Sequence, residues 1–166
     1  KAVRVFYDHF LQRKSQFDEE SIFNEITDDL KTEIVVHLNK DIFNRISIFQ
    51  GIPHREFMAN SMSLLYPAVF APDELIVLEG SVGREMYFVT KGTAEVIGSI
   101  NTPEEVVHMV MHEGMFFGEI GVLMDVERTA SVRAITYVNT FILNQDGLAD
   151  LTSFYPELTE RITLHI

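Results

Sequence analysis

At Tyr66 the hydrophobic period of this chain changes, and that change constrains its fold more than any other feature of the sequence. Before it, apolar residues recur at helical spacing. After it come seven short apolar or alternating runs: Val69–Phe70, Leu75–Leu78, Met86–Val89, Ala94–Ile97, Val106–Val110, Ser131–Ile135 and Val138–Leu143. Turn residues separate them, among them Ala71-Pro72-Asp73-Glu74, the Gly-containing segment 79–85, Lys91-Gly92-Thr93, Asn101–Glu104 and Glu113-Gly114. Such runs read as strands, and a compact antiparallel roll or barrel follows more naturally than alternating βα units.

Helices flank these strands. Val3, Phe6, Tyr7, Phe10 and Leu11 make a helical stripe, Phe17-Asp18-Glu19-Glu20 breaks it, and Ile22, Phe23 and Ile26 begin the next. Thr27 or Asp28 caps a helix bearing Leu30, Ile34, Val35 and Leu38, and a further short helix holds Ile42, Phe43, Ile46 and Phe49. Gly51-Ile52-Pro53 marks a boundary, with a helix over 54–65 beyond it. Past the strands, a helix over 145–154 with Asp146 as cap precedes a last one opened by Pro156. The expected architecture is α+β: a helical segment over residues 1–49, then an antiparallel, jelly-roll-like β-roll with flanking helices over 50–166.

Charge and composition exclude several functions. Against 13 basic residues stand 25 acidic ones, a formal charge of −12, and most of the excess falls after residue 49. That field opposes nonspecific binding to nucleic acid or anionic lipid, so neither is expected as a partner. No run reaches the roughly 18 apolar residues of a membrane span, and no signal peptide is evident. Without Cys there are no disulfides or thiolate metal sites. His108 and His112 stand four apart but lack a carboxylate motif, so no metal is expected. The Walker loop, GxGxxG, HExxH and GxSxG are absent, and no enzyme constellation replaces them.

One stretch does carry chemistry. Phe116-Phe117-Gly118-Glu119-Ile120-Gly121-Val122-Leu123, followed by Arg128-Thr129-Ala130-Ser131-Val132, brings together backbone amides, a carboxylate, a guanidinium and two hydroxyls. Glycines let the backbone turn its amides toward an anion, an arginine pairs with it, and an ionised carboxylate accepts from hydroxyls. Phosphate and sugar fit that set. The acidic surroundings mean that an anion must be received locally, by Arg128 and oriented amides.

These residues closely resemble the phosphate-binding cassette of cyclic-nucleotide-binding domains. Phe17–Ile22, Leu30–Ile34 and Ile48-Phe49 are similar to the C-linker of hyperpolarisation-activated and cyclic-nucleotide-gated channels, and Phe70–Glu74, Glu79-Gly80, Gly83 and Met86-Tyr87-Phe88 resemble the first half of their β-roll. The resemblance implies a non-catalytic sensor binding cAMP or cGMP as regulatory ligand. Arg128 would pair with the cyclic phosphate, with Thr129 adding hydroxyl and amide contacts. Glu119 would accept from the ribose 2′-OH, and the backbones of Gly118 and Ile120 would enclose phosphate and sugar. Phe117, Gly121 and Ala130 complete the cassette, while Met109 and Met111 match the base-facing wall. It further implies a tetrameric cation channel, an integral membrane protein with this region on its cytoplasmic face and neighbouring subunits as partners. A sensor of an ion exchanger and a constitutive assembly domain with a degenerate site are the alternatives. In the family a C-terminal helix closes the pocket, and residues 50–166 are expected to lack it. Glu127 departs from the resemblance, an acid where a basic or polar residue often precedes the arginine.

Overall fold

The computed structural model describes residues 27–52 and 54–165; the helices expected over 3–11 and 22–26 fall outside them. The first element among the described residues is an 18-residue helix, α1 (Asp28–Arg45), followed by a 3₁₀ turn at Ser47–Phe49. The two helices expected here are thus one helix and a turn. Neither Gly nor Pro interrupts 28–45, so the stripe runs on through Ile42 and Phe43 until Ile46 turns extended. Thr27 is the N-cap residue by position, without a side-chain cap bond. Helix α2 (His54–Met62) precedes the strands, three residues shorter than expected, because Leu64 and Leu65 both turn their N–H groups to the Ser61 carbonyl.

Among the described residues eight strands form two antiparallel sheets. In chain order they are β1 (Tyr66–Phe70), β2 (Leu75–Val77), β3 (Glu85–Lys91), β4 (Ala94–Gly98), β5 (Val106–Met111), β6 (Phe116–Phe117), β7 (Ser131–Ala134) and β8 (Val138–Asn144). One sheet runs β1-β8-β3-β6 and the other β2-β7-β4-β5. Between β6 and β7 sits a six-residue helix, α3 (Glu119–Met124). The chain closes with α4 (Gln145–Phe154) and α5 (Glu157–Thr163). Asn144, not Asp146, caps α4: its side chain accepts the Gly147 N–H at 2.8 Å. The helix covers 145–154 as expected, and Asp146 falls in its first turn instead of at the cap. The α5 helix has Pro156 at its N-cap, where a missing N–H costs nothing.

Strand β3 organises both cores. Side chains alternate across a strand, so Met86 and Phe88 face the helices while Tyr87 and Val89 face the second sheet. On the helical side they join Phe43, Ile46, Ile48, Phe49, Phe57, Leu148, Leu151, Leu158 and Ile162 in one buried cluster. Phe49 is its hub, with ring centroids 5.1 Å from Phe43, 5.1 Å from Phe57 and 5.0 Å from Phe88. Residues on both sides of Gly51 therefore share one core. Between the sheets, Val77, Ala94, Met111, Phe117, Val132, Ala134, Val138 and Ile142 pack around Tyr87 and Val89.

Candidate functional site

A cavity of about 350 Å³ opens against the second sheet. Val77 of β2, Val96 of β4, Met109 and Met111 of β5 and Val132 of β7 form its apolar wall, and the β6–α3 turn with Arg128, Thr129 and Ala130 forms its polar side. All ten residues singled out in the sequence line it: Met109, Met111, Phe117, Gly118, Glu119, Ile120, Gly121, Arg128, Thr129 and Ala130. Met111 is buried, whereas Met109 is half exposed at the rim.

The turn that carries the cassette is built on Gly118. Its φ of 87° lies in the left-handed region, and a Cβ there would stand 2.7 Å from Nη1 of Arg128 and 2.8 Å from the Glu85 carbonyl oxygen. Gly118 thus ends β6, opens α3 and lets the guanidinium close on the backbone. The α3 helix runs through the buried Gly121, so the bend expected around the two glycines is a strand, a left-handed residue and one short helix.

Arg128 is only 6% exposed. Its Nη1 donates to the Gly118 carbonyl at 2.8 Å and its Nη2 to the Glu85 carbonyl at 2.6 Å. Backbone bonds fix it from the other side, Arg128 N–H to Ser81 O at 2.9 Å and Gly80 N–H to Arg128 O at 2.8 Å. Among the described residues no carboxylate comes within 4.0 Å of the guanidinium. Its partners are dipoles, which satisfy hydrogen bonds but give its charge no contacting counter-ion. Burying a cation without a counter-charge is costly, so an anion seated beside it would be bound strongly. With two of its five N–H groups engaged, the fork keeps donors for one.

Glu119 is half buried at the start of α3. Burial holds its carboxyl above the ordinary carboxylate range, opposed by a bond from its own backbone N–H and by the nearby His165 and Arg128. Thr129 is exposed at the rim. The second hydroxyl of the stretch is engaged elsewhere, since Ser131 is fully buried and its Oγ accepts the Glu79 N–H at 3.0 Å. Glu127 is exposed and does not line the cavity, so its negative charge meets solvent rather than the cradle.

Other lining residues carry no motif. Ser47 comes from the 3₁₀ turn and His165 from the turn just after α5. The His165 ring stands 5.2 Å from that of Phe116, with Nδ1 2.9 Å from the Arg161 carbonyl oxygen. Arg161 donates to the carbonyls of Ile48, at 3.0 Å, and of Gln50, tying α5 to the 3₁₀ turn and bringing both to the cavity's edge. Nothing local in the sequence marks either residue.

Fold and cavity together define a β-roll ligand-binding module with a cationic cradle beside an apolar wall. The model of the family described as "Cyclic nucleotide-binding domain" matches residues 67–153, more than half of the chain. The chain belongs to that family, one of regulatory ligand-binding domains rather than enzymes. It is homologous to the C-linker and cyclic-nucleotide-binding region of two channel groups. Over 156 residues it is 36% identical to the human "Potassium/sodium hyperpolarization-activated cyclic nucleotide-gated channel 1", covering 94% of this chain and 17% of that protein. To the human "Cyclic nucleotide-gated channel alpha-3" it is 30% identical over 163 residues, covering 95% and 23%. The chain thus spans less than a quarter of either relative. The catabolite activator protein of Thermus thermophilus shares the fold, with a TM-score of 0.65 at 20% identity over 70% of this chain and 55% of that one. Among the described residues no helix is long and apolar enough to cross a membrane.

Proposed function

We propose that this chain is the cyclic-nucleotide-sensing, gating-regulatory region of a tetrameric cation channel, carried on the cytoplasmic face of the membrane. The observation that carries the reading is Arg128, a buried guanidinium held by two carbonyls beside an apolar cavity. Its counter-charge is the cyclic phosphate of cAMP or cGMP. Thr129 and the amides of the turn complete the phosphate contacts, Glu119 accepts from the ribose 2′-OH, and Met109 and Met111 face the base. About 350 Å³ is within the range of small-molecule sites.

Residues 1–49 act in this reading as the linker to neighbouring subunits and pore, and residues 50–166 as the sensor. The Arg161 bond to the Ile48 carbonyl supplies a physical connection between them. Binding alone does not gate a channel; the nucleotide must favour one arrangement of that connection over another. The names of the channel relatives favour this assignment over an exchanger.

A thermal-shift titration tests the binding. A ligand that binds only the folded state at a hundred times its Kd adds about 2.7 kcal/mol. cAMP or cGMP is expected to raise the melting temperature in a concentration-dependent way, and Arg128→Ala to abolish the rise. A folded wild type indifferent to both nucleotides would leave the constitutive assembly reading in its place.

A further inference from the structure

Glu85 opens β3 at the end of its ladder, opposite Asn144 of β8. Its carboxylate accepts from two phenols, the Tyr66 hydroxyl at 2.6 Å on Oε1 and the Tyr87 hydroxyl at 3.1 Å on Oε2. Tyr66 belongs to β1 and Tyr87 to β3, and both pair with Ile142 of the intervening β8. The carboxylate therefore ties β1 to β3 across the intervening β8 at one corner of the sheet. The same residue's carbonyl receives Nη2 of Arg128 at 2.6 Å.

The second acceptor of Arg128 belongs to the same unit. Tyr87 stacks on Phe117, with centroids 5.0 Å apart and planes within 9°, and Phe117 immediately precedes Gly118, whose carbonyl takes Nη1. We infer that Glu85 is a positioning residue for the anion cradle: with Tyr66 and Tyr87 it fixes the two carbonyls that aim the Arg128 guanidinium into the cavity. This rests on the cyclic-nucleotide reading above.

Physical reasons support a positioning role over a merely stabilising one. A strand end frays, and residues 81–84 beyond it make few ladder bonds: Gln145 N–H to Arg84 O at 2.8 Å and the pairing of Ser81 with Arg128. Without the side-chain tie, the Glu85 carbonyl would move with that end. A guanidinium held by carbonyls keeps its full charge for the ligand, whereas a carboxylate in the same place would neutralise it. Glu85 keeps the two roles apart, its carboxylate turned to the phenols and its carbonyl to the arginine. The phenols register the tie. Burial, then Glu85, pushes Tyr87 up to about 12 and Tyr66 further above the usual phenol range.

The test is a double-mutant cycle in the whole chain, with Glu85→Ala, Arg128→Ala and the double variant titrated calorimetrically with cAMP and cGMP. Glu85→Ala is expected to weaken binding about tenfold in the wild-type background and less than about twofold once Arg128 is gone. Tyr66→Phe, which removes one hydroxyl and opens no cavity, is expected to give a smaller loss with the same dependence on Arg128, and it serves if Glu85→Ala fails to fold. Phenolate absorbance reads the tie without ligand: in Glu85→Ala both tyrosines are expected to ionise at lower pH than in the wild type. Wild-type binding with losses that add across the cycle, or phenol titrations unmoved by Glu85→Ala, would overturn the positioning role alone. Failure of the wild type to bind either nucleotide would overturn the cyclic-nucleotide reading and this inference with it.

Discussion

Replacing Gly83 with alanine adds one methyl group, and the site answers through Arg128. A Cβ built on Gly83 has three nearest atoms, the Nε, Nη2 and Cζ of Arg128, all closer than the 3.0 Å that real Cβ atoms keep. Gly83 is outside the left-handed region, so its backbone accepts alanine without strain. The guanidinium must therefore move. It is buried and holds two carbonyls, bonds to a charged donor that are each worth about 1.5–3 kcal/mol. Displacement loosens both and turns the fork away from the anion. We expect Gly83→Ala to cost about 2 kcal/mol of cyclic-nucleotide binding, near thirtyfold, as much as removing Arg128 itself. The cycle gives the sharper reading. In an Arg128→Ala background the methyl has room, and the lower entropy of the unfolded chain is expected to make Gly83→Ala neutral or stabilising by about 0.4–1 kcal/mol. Calorimetry and urea melts on the four proteins measure both quantities. Wild-type affinity in Gly83→Ala, or equal destabilisation in both backgrounds, would refute the packing of Gly83 against the guanidinium.

Four further outcomes follow from particular contacts. Glu119 has a folded pKa raised by burial, so its contribution to stability is fullest below its unfolded pKa and is lost as pH rises through the folded one; Glu119→Gln should stabilise the ligand-free protein near neutral pH, by a margin that shrinks on acidification. The same change should weaken cAMP more than 2′-deoxy-cAMP, and equal losses for the two ligands would remove Glu119 from the ribose contact. Arg161→Ala removes the bonds to the Ile48 and Gln50 carbonyls and should lower stability by about 1–2 kcal/mol, with faster amide hydrogen exchange in the 3₁₀ turn; unchanged exchange there would mean that α5 does not hold it. Phe49→Ala empties the hub of the helical-side core and should cost about 3–5 kcal/mol in chemical denaturation, whereas a loss under about 1 kcal/mol would contradict the shared packing of linker and roll.

The strands were legible because alternation survives in sequence wherever one face packs and the other does not. Met86 to Val89 is a different case, an apolar run whose two faces fill two separate cores. Phe116–Phe117 has only two residues and so no period to read, and α3 is too short and too interrupted by Gly121 for a helical stripe to stand out. The merging of two expected helices into α1, and the shift of the α4 cap from Asp146 to Asn144, are boundary effects that turn on single residues.

The polar side of the site was legible as a group because its residues are contiguous in two short segments. Local chemistry could name Arg128 as an anion partner but not what would hold it. That task falls to the backbone of Glu85 and Gly118. The link from Tyr66 to Glu85 crosses from one strand to another, and the placement of Ser47 and His165 depends on α5 docking on the 3₁₀ turn. Periodicity records which face of an element is buried, not which distant element covers it.

The measurement closest to the central claim is a calorimetric titration of the folded chain with cAMP and with cGMP, repeated on Arg128→Ala after its fold is verified by circular dichroism. The buried, carbonyl-held guanidinium predicts saturable one-to-one binding of at least one nucleotide and a loss of about 2 kcal/mol or more in the variant. No heat of binding from a folded wild type, or equal affinity in the two proteins, would contradict it.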